Sequence, residues 1–116
     1  MIQHEDLIEV VIAGHVARNV VWHRRFLNRG GNDQLIRPFD LFFHCPDELN
    51  ARHLARALSA ERVERAIVLE PDGDSGWEVH GVFGGSLLEL IDPGFTEQLV
   101  RLANSRSATY MGWMSP

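Results

Sequence analysis

Lysine is absent from this chain of 116 residues, and cysteine occurs only once, at Cys45. All 11 basic residues are therefore arginines, which excludes a Schiff-base lysine and a P-loop lysine. One cysteine cannot form a disulfide within the chain. The 16 acidic residues outnumber the basic ones and give a net charge of -5, which disfavours a general nucleic-acid binder.

Long apolar runs are also lacking, since no stretch approaches the roughly 18 residues that a membrane-spanning helix needs. The first apolar run, residues 7–13, follows the acidic Glu5 and Asp6, whereas a secretory signal would carry basic residues there. We therefore expect a cytoplasmic protein with no membrane association. Apolar residues at 45% and charged residues at 23% are typical of a globular chain, and the length predicts one domain over residues 1–116.

The amino-terminal segment, about residues 5–29, is predicted to be a helix that ends at Gly30 and Gly31. Residues 7–13 are rich in β-branched side chains and leave a strand as the alternative there. The expected buried stripe comprises Val16, Val20, His23 and Leu27, broadened by Val21, Trp22 and Phe26. Such a helix could cover a sheet face, pack beside other helices or meet a second copy of the chain, and we expect part of it to form a homodimer contact.

The rest of the chain alternates between strand and helix patterns. The predicted elements are a strand over Phe39–Cys45, a helix capped by Asp47, strands over Arg62–Glu70 and Trp77–Phe83, a helix starting at Asp92-Pro93, and a strand over Ser107–Met114. Leu87–Ile91 is predicted to be an apolar link, and Gly84-Gly85 a turn. The buried stripes expected of the two helices are Ala51, Leu54, Ala55 and Leu58 in the first, and Phe95, Leu99, Leu102 and Ala103 in the second. The order βαββαβ over residues 39–114 predicts an α+β, ferredoxin-like sandwich with an additional N-terminal helix.

Two chemical readings centre on the histidines. His44 adjoins Cys45, but neighbouring residues of a strand point to opposite faces, so the histidine is badly placed to activate the thiol. His44 and His80 are predicted to lie on neighbouring central strands, and a small metal- or ligand-binding domain using that face is an alternative function. The strand that contains His80 also carries Glu78 and lacks the basic and aromatic pattern of RNA-recognition modules, so we expect no direct nucleic-acid binding.

Several segments together resemble the RraB-like family, the bacterial regulators of ribonuclease activity B. The matching pieces are Leu27–Gly31, Arg37–Asp40, Pro46–Glu48, Leu54-Ala55-x-x-Leu58, Asp74–Trp77 and Tyr110–Trp113. The last two are the most specific of these motifs, and Leu41 departs from a histidine that is frequent in the family.

The resemblance implies a non-enzymatic regulator that binds a protein partner, ribonuclease E or another RNA-processing enzyme. The residues themselves show no metal or cofactor signature, so we expect no cofactor and no metal. The candidate protein-binding residues are Arg37, Asp40, Phe42, His44, Glu78 and His80. The residues of the structural motif are Trp77, Tyr110, Gly112 and Trp113. A structural homo-oligomer is the remaining alternative.

Overall fold

The computed structural model describes residues 4–73 and 76–115. Its elements in chain order are α1 (His4–Asn28), β1 (Arg37–Cys45), α2 (Glu48–Ser59), β2 (Val63–Leu69), β3 (Trp77–Gly85), α3 (Leu87–Leu90), α4 (Pro93–Asn104) and β4 (Thr109–Met114). Asp74 and Ser75, which belong to the predicted turn and to one family motif, lie outside the described residues.

The four strands form one antiparallel sheet in the order β2-β3-β1-β4. The expected α+β class is confirmed, as is the antiparallel pairing of β2 with β3. β1 and β3 lie in the centre. Gly84 and Gly85 pair with β1 as the last residues of β3, so the predicted turn at this position was wrong.

One face of the sheet is buried. Along β1, Phe39, Leu41, Phe43 and Cys45 are at most 1% exposed, and they join one apolar cluster to which all the helices contribute. The β1 alternation was thus predicted correctly. The predicted cap of α2 is confirmed, since the Asp47 carboxylate accepts a hydrogen bond from the Asn50 amide at 2.8 Å. Of its predicted stripe, Ala51, Leu54 and Leu58 are buried and Ala55 is half-buried.

The segment predicted as an apolar link contains the short helix α3. Ser86 and Glu89 form a reciprocal capping box, in which each side chain accepts a hydrogen bond from the other residue's backbone amide. A helix of four residues is too short for helical periodicity to show in the sequence, so only Ser86 and Glu89 indicated this helix.

The buried stripe of α4 is rotated from the predicted one. Leu99 and Ala103 are buried as expected, together with Thr96 and Val100. Phe95 and Leu102 are only half-buried against the core. Thr96 can be buried because its hydroxyl accepts a hydrogen bond from Asn19 on α1.

The first helix is continuous through Gly14, which confirms the helical alternative for residues 7–13. Its predicted buried stripe was wrong for most members, although Val16 and Phe26 are half-buried and pack against the core. The buried residues are Ile8, Ile12, His15 and Asn19, whereas Val20, Val21, Trp22 and Leu27 are between 45% and 53% exposed. Hydropathy alone could not find this stripe because half of it is polar.

Helix α1 lies beside α4 on the helical side of the sheet, which is one of the three expected arrangements. The Arg101 guanidinium of α4 bonds Glu5 at 2.8 Å and Glu9 at 2.7 Å, both near the start of α1. The helix ends where Gly30 adopts a φ of +79°, a left-handed conformation that suits glycine. None of the helices described is long and apolar enough to cross a bilayer.

Candidate protein-binding face

The second face of the sheet carries no helix in the described part of the chain, and we call it the open face. Residues that pair directly across an antiparallel sheet point to the same side. Strand register therefore arranges the open face in three rows running from β2 to β4: Glu64, Val82, Asp40 and Met114; then Ile67, His80, Phe42 and Gly112; then Leu69, Glu78, His44 and Thr109.

The middle row is the apolar centre of this face. The rings of Phe42 and His80 meet edge to face, with centroids 4.7 Å apart. Ile67 flanks His80 and is 52% exposed. On the other flank Gly112 adds no side chain, so Phe42 remains only half-buried. An aromatic ring is therefore accessible in the middle of the sheet.

Carboxylates surround this centre. Asp40 and Glu64 lie in the first row, and Glu78 lies in the third, where its carboxylate is 3.3 Å from the His80 imidazole. Arg65 borders the face, and its positive φ of 50° accompanies an irregularity in the pairing of β2 with β3. Carboxylates thus outnumber guanidinium groups at this face.

A shallow depression of about 350 Å³ lies over the middle row. It is lined by Asp40, Phe42, Arg65, Ile67, His80, Gly81 and Val82. Its open shape and its mixture of apolar and charged walls suit the side chain of a docked polypeptide better than an enclosed small molecule.

The side chains of His44 and Cys45 point to opposite faces of the sheet, as expected. His44 lies on the open face with its ring over Gly76, whereas Cys45 points into the core and is fully buried. Burial, with a smaller contribution from the Asp47 carboxylate, raises the pKa of the Cys45 thiol to about 11. A thiol with this pKa and no exposure is a poor nucleophile.

The metal-binding alternative receives no support from the geometry. His44 and His80 share the open face with Asp40 and Glu78, as predicted. His80, however, packs against Phe42. Among residues 4–73 and 76–115, no three His, Cys, Asp or Glu side chains are grouped so that they could hold a metal ion.

Five of the six predicted protein-binding residues share the open face, and Arg37 does not. Its guanidinium lies over the rings of Phe26 and Phe39, 5.1 Å and 5.8 Å from their centroids. Phe39 belongs to the buried face, so Arg37 belongs to the helical side. This position follows from the geometry of a strand, because residues two apart, such as Arg37 and Phe39, point to the same face of the sheet.

The four motif residues support the sheet and its helical side. Trp77 and Trp113 pack partly against the core, and the Trp113 ring meets Phe39 edge to face. Tyr110 is buried with its ring near those of His15 and Phe43. Gly112 has a φ of +119° beside the register shift between β1 and β4, a conformation that other residues rarely adopt.

A polar seam between α1 and the carboxyl-terminal part of the chain was not predicted. Asn19 accepts a hydrogen bond from the Trp113 indole at 2.9 Å and donates one to Thr96 at 3.3 Å. The His15 Nε2 atom lies 3.0 Å from the Tyr110 carbonyl oxygen, which can only accept. These contacts join residues so distant in sequence that no local pattern reveals them.

The same hydrogen bonds determine the protonation state of the His15 imidazole. Nε2 donates to the carbonyl of Tyr110, while Nδ1 accepts a hydrogen bond from the Arg18 guanidinium at 3.0 Å, so the ring is neutral. Burial lowers the pKa of His15, and the nearby charge of Arg18 lowers it further. His15 is therefore a structural histidine, remote from the open face.

Comparison with known proteins adds no family assignment. No protein-family model matches this chain, and no curated protein matches it.

Proposed function

We propose that this protein is a cytoplasmic, non-enzymatic regulator that binds a partner protein through the open face of its sheet. The observation that carries the proposal is the middle row, where Phe42, His80 and Ile67 form an accessible apolar centre between rows containing carboxylates. Apolar anchors within a polar rim are typical of protein interfaces. The buried, weakly acidic thiol of Cys45 supports a role without nucleophilic catalysis.

The chemistry of the face indicates the kind of partner segment. Asp40, Glu64 and Glu78 favour arginine or lysine side chains, and the depression over Phe42 can accept an apolar side chain. The same carboxylates would repel a phosphate backbone. A basic polypeptide segment with one apolar anchor therefore fits better than RNA.

The proposed identity of the partner rests on the resemblance to the RraB-like family. Its support is the strand order β2-β3-β1-β4, which is the order of a ferredoxin-like βαββαβ sandwich, and the structural positions of Trp77, Tyr110, Gly112 and Trp113. We assign the fold to that class, with α1 as an added helix. An RNA-processing enzyme of the ribonuclease E type is accordingly the proposed partner.

Titration calorimetry of purified ribonuclease E with this protein tests the proposal. We expect binding, and we expect Phe42→Asp to weaken it by about tenfold or more, equivalent to at least about 1.4 kcal/mol. Leu49→Asp is the matched control, because Leu49 is 64% exposed on α2, on the helical side. Absence of binding would refute ribonuclease E as the partner. Equal weakening of binding by both substitutions would refute the open face as the binding surface.

A further inference from the structure

A second apolar surface lies on the outer side of α1, and it is independent of the open face. Leu7, Val10, Gly14, Ala17 and Val21 follow one another at spacings of three and four residues, which places them on one side of a helix. Leu7, Val10 and Val21 are 51%, 67% and 49% exposed. We call these five residues the outer stripe.

The outer stripe points away from the protein. At 100° per residue, it lies nearly opposite the buried stripe of Ile8, Ile12, His15 and Asn19. The buried stripe and the salt bridges of Glu5 and Glu9 connect α1 to α4 and β4, so folding of a single chain leaves the outer stripe in water.

Packing among the described residues does not require glycine at position 14, in the middle of this stripe. A Cβ atom built there meets no other atom within 4 Å. Glycine is disfavoured relative to alanine inside a helix, so neither its own packing nor helix formation explains the residue. A glycine followed by Ala17 one turn later does allow a second helix to approach closely.

The charges of α1 identify the second helix and its direction. The acidic residues Glu5, Asp6 and Glu9 lie in its first turns, the arginines Arg18, Arg24 and Arg25 lie in its second half, and Arg29 directly follows its last residue. Glu5 and Glu9 bind Arg101. At 100° per residue, Asp6 lies on the same flank of the outer stripe as Arg24. A parallel pair of α1 helices would place like charges together, but an antiparallel pair places the acidic end of each helix beside the basic end of the other.

We propose that two copies of this protein associate through antiparallel packing of their α1 helices along the outer stripe. A twofold axis passes between positions 15 and 16 of both helices, so Val10 lies against Val21 of the second copy and Gly14 lies against Ala17. Leu7 then meets the aliphatic stem of Arg24 from the second copy, and that guanidinium reaches the region of Asp6. Each contact occurs twice, as twofold symmetry requires.

Cysteine cross-linking in the full chain tests both the surface and the direction of the helices. The one native thiol, Cys45, is fully buried and provides a clean background. We expect an oxidised mixture of the Val10→Cys and Val21→Cys variants to form a disulfide between the two chains. Val10→Cys alone should not cross-link, because its two copies are about 16 Å apart along the axis and a disulfide needs Cα atoms within about 7 Å.

Sedimentation velocity gives the second readout. Wild-type protein should be dimeric at micromolar concentration, and Gly14→Leu and Val10→Asp should each raise the dimer dissociation constant by about tenfold or more. Leu49→Asp should change it less than about twofold, and circular dichroism would confirm that each variant is folded. A wild-type monomer, cross-linking of Val10→Cys with itself, or a dimer that neither outer-stripe variant weakens would each overturn the proposal.

Discussion

The indole nitrogen of Trp113 donates a hydrogen bond to the side-chain oxygen of Asn19, 2.9 Å away and separated by 94 residues along the chain. The same asparagine binds Thr96 through its amide nitrogen. One polar side chain of α1 therefore connects the last strand with α4. Asn19 fixes the rotation of α1 on the domain, and that rotation determines which apolar residues of the helix remain outside.

Loss of this connection should destabilise the fold. We expect Asn19→Leu to lower the free energy of unfolding by about 1–3 kcal/mol, because the Trp113 indole and the Thr96 hydroxyl lose their buried partner. Urea denaturation measures the change. Asn28→Ala, an exposed substitution on the same helix, should alter stability by less than about 0.5 kcal/mol. Equal effects of the two substitutions would show that Asn19 has no special role.

Stability should depend on the protonation of His15. Folding lowers its pKa, so the neutral form is favoured in the native state. The associated stability is fully present above the unfolded pKa of about 6.5 and is lost as pH falls through the folded pKa. Urea denaturation at several pH values from 7.5 down to 5 should show the start of this decline below about pH 6.5.

His15→Gln provides the control for that titration. Its amide can donate to the Tyr110 carbonyl and accept from Arg18, but it carries no proton that titrates in this range. We expect a flatter pH profile for this variant than for the wild type. Identical profiles would assign the pH dependence to other groups.

Cys45 should resist thiol reagents in the native protein. A rise in pKa from 9.0 to about 11 lowers the thiolate fraction near pH 8 by about 100-fold, and the side chain has no exposed surface. Labelling with a chromogenic disulfide reagent should therefore be slow in buffer and rapid in urea. Rapid labelling of the folded chain would contradict the burial of this strand position.

Both strand tryptophans should act as structural residues. We expect Trp77→Ala and Trp113→Ala each to cost about 1–3 kcal/mol of folding stability, since both rings are half-buried and pack partly against the core. Thermal unfolding would measure the effect. If either variant kept its melting temperature but lost partner binding, that tryptophan would belong to the interface instead.

The sequence was most informative where the alternation of apolar and polar residues along a strand matches the alternation of buried and exposed side chains. Alternation along Phe39–Cys45 identified the buried and open faces, and it placed His44 on the side opposite Cys45. The location of His44 and His80 on the same face of neighbouring strands followed from the order of the strands. These features depend on period-two alternation, which a single sequence displays directly.

Prediction failed where tertiary contacts bury polar residues and leave apolar residues exposed to solvent. His15 and Asn19 are buried because Tyr110, Trp113 and Thr96 supply their hydrogen-bond partners, and the apolar Val20 and Leu27 remain exposed. The register of α1 could therefore not be read from hydropathy. The apolar members of the open face contributed by β2 and β4, such as Ile67 and Met114, required the strand register as well.

The imidazole resonances of the histidines give the most direct test of the open face as the binding surface. In a nuclear magnetic resonance titration with ribonuclease E, the ring signals of His44 and His80 should shift or broaden selectively. Those of His15 and His53, which lie on α1 and α2 on the helical side, should not respond beyond the general broadening of the complex. Selective perturbation of His15 or His53, with His44 and His80 unaffected, would contradict the account.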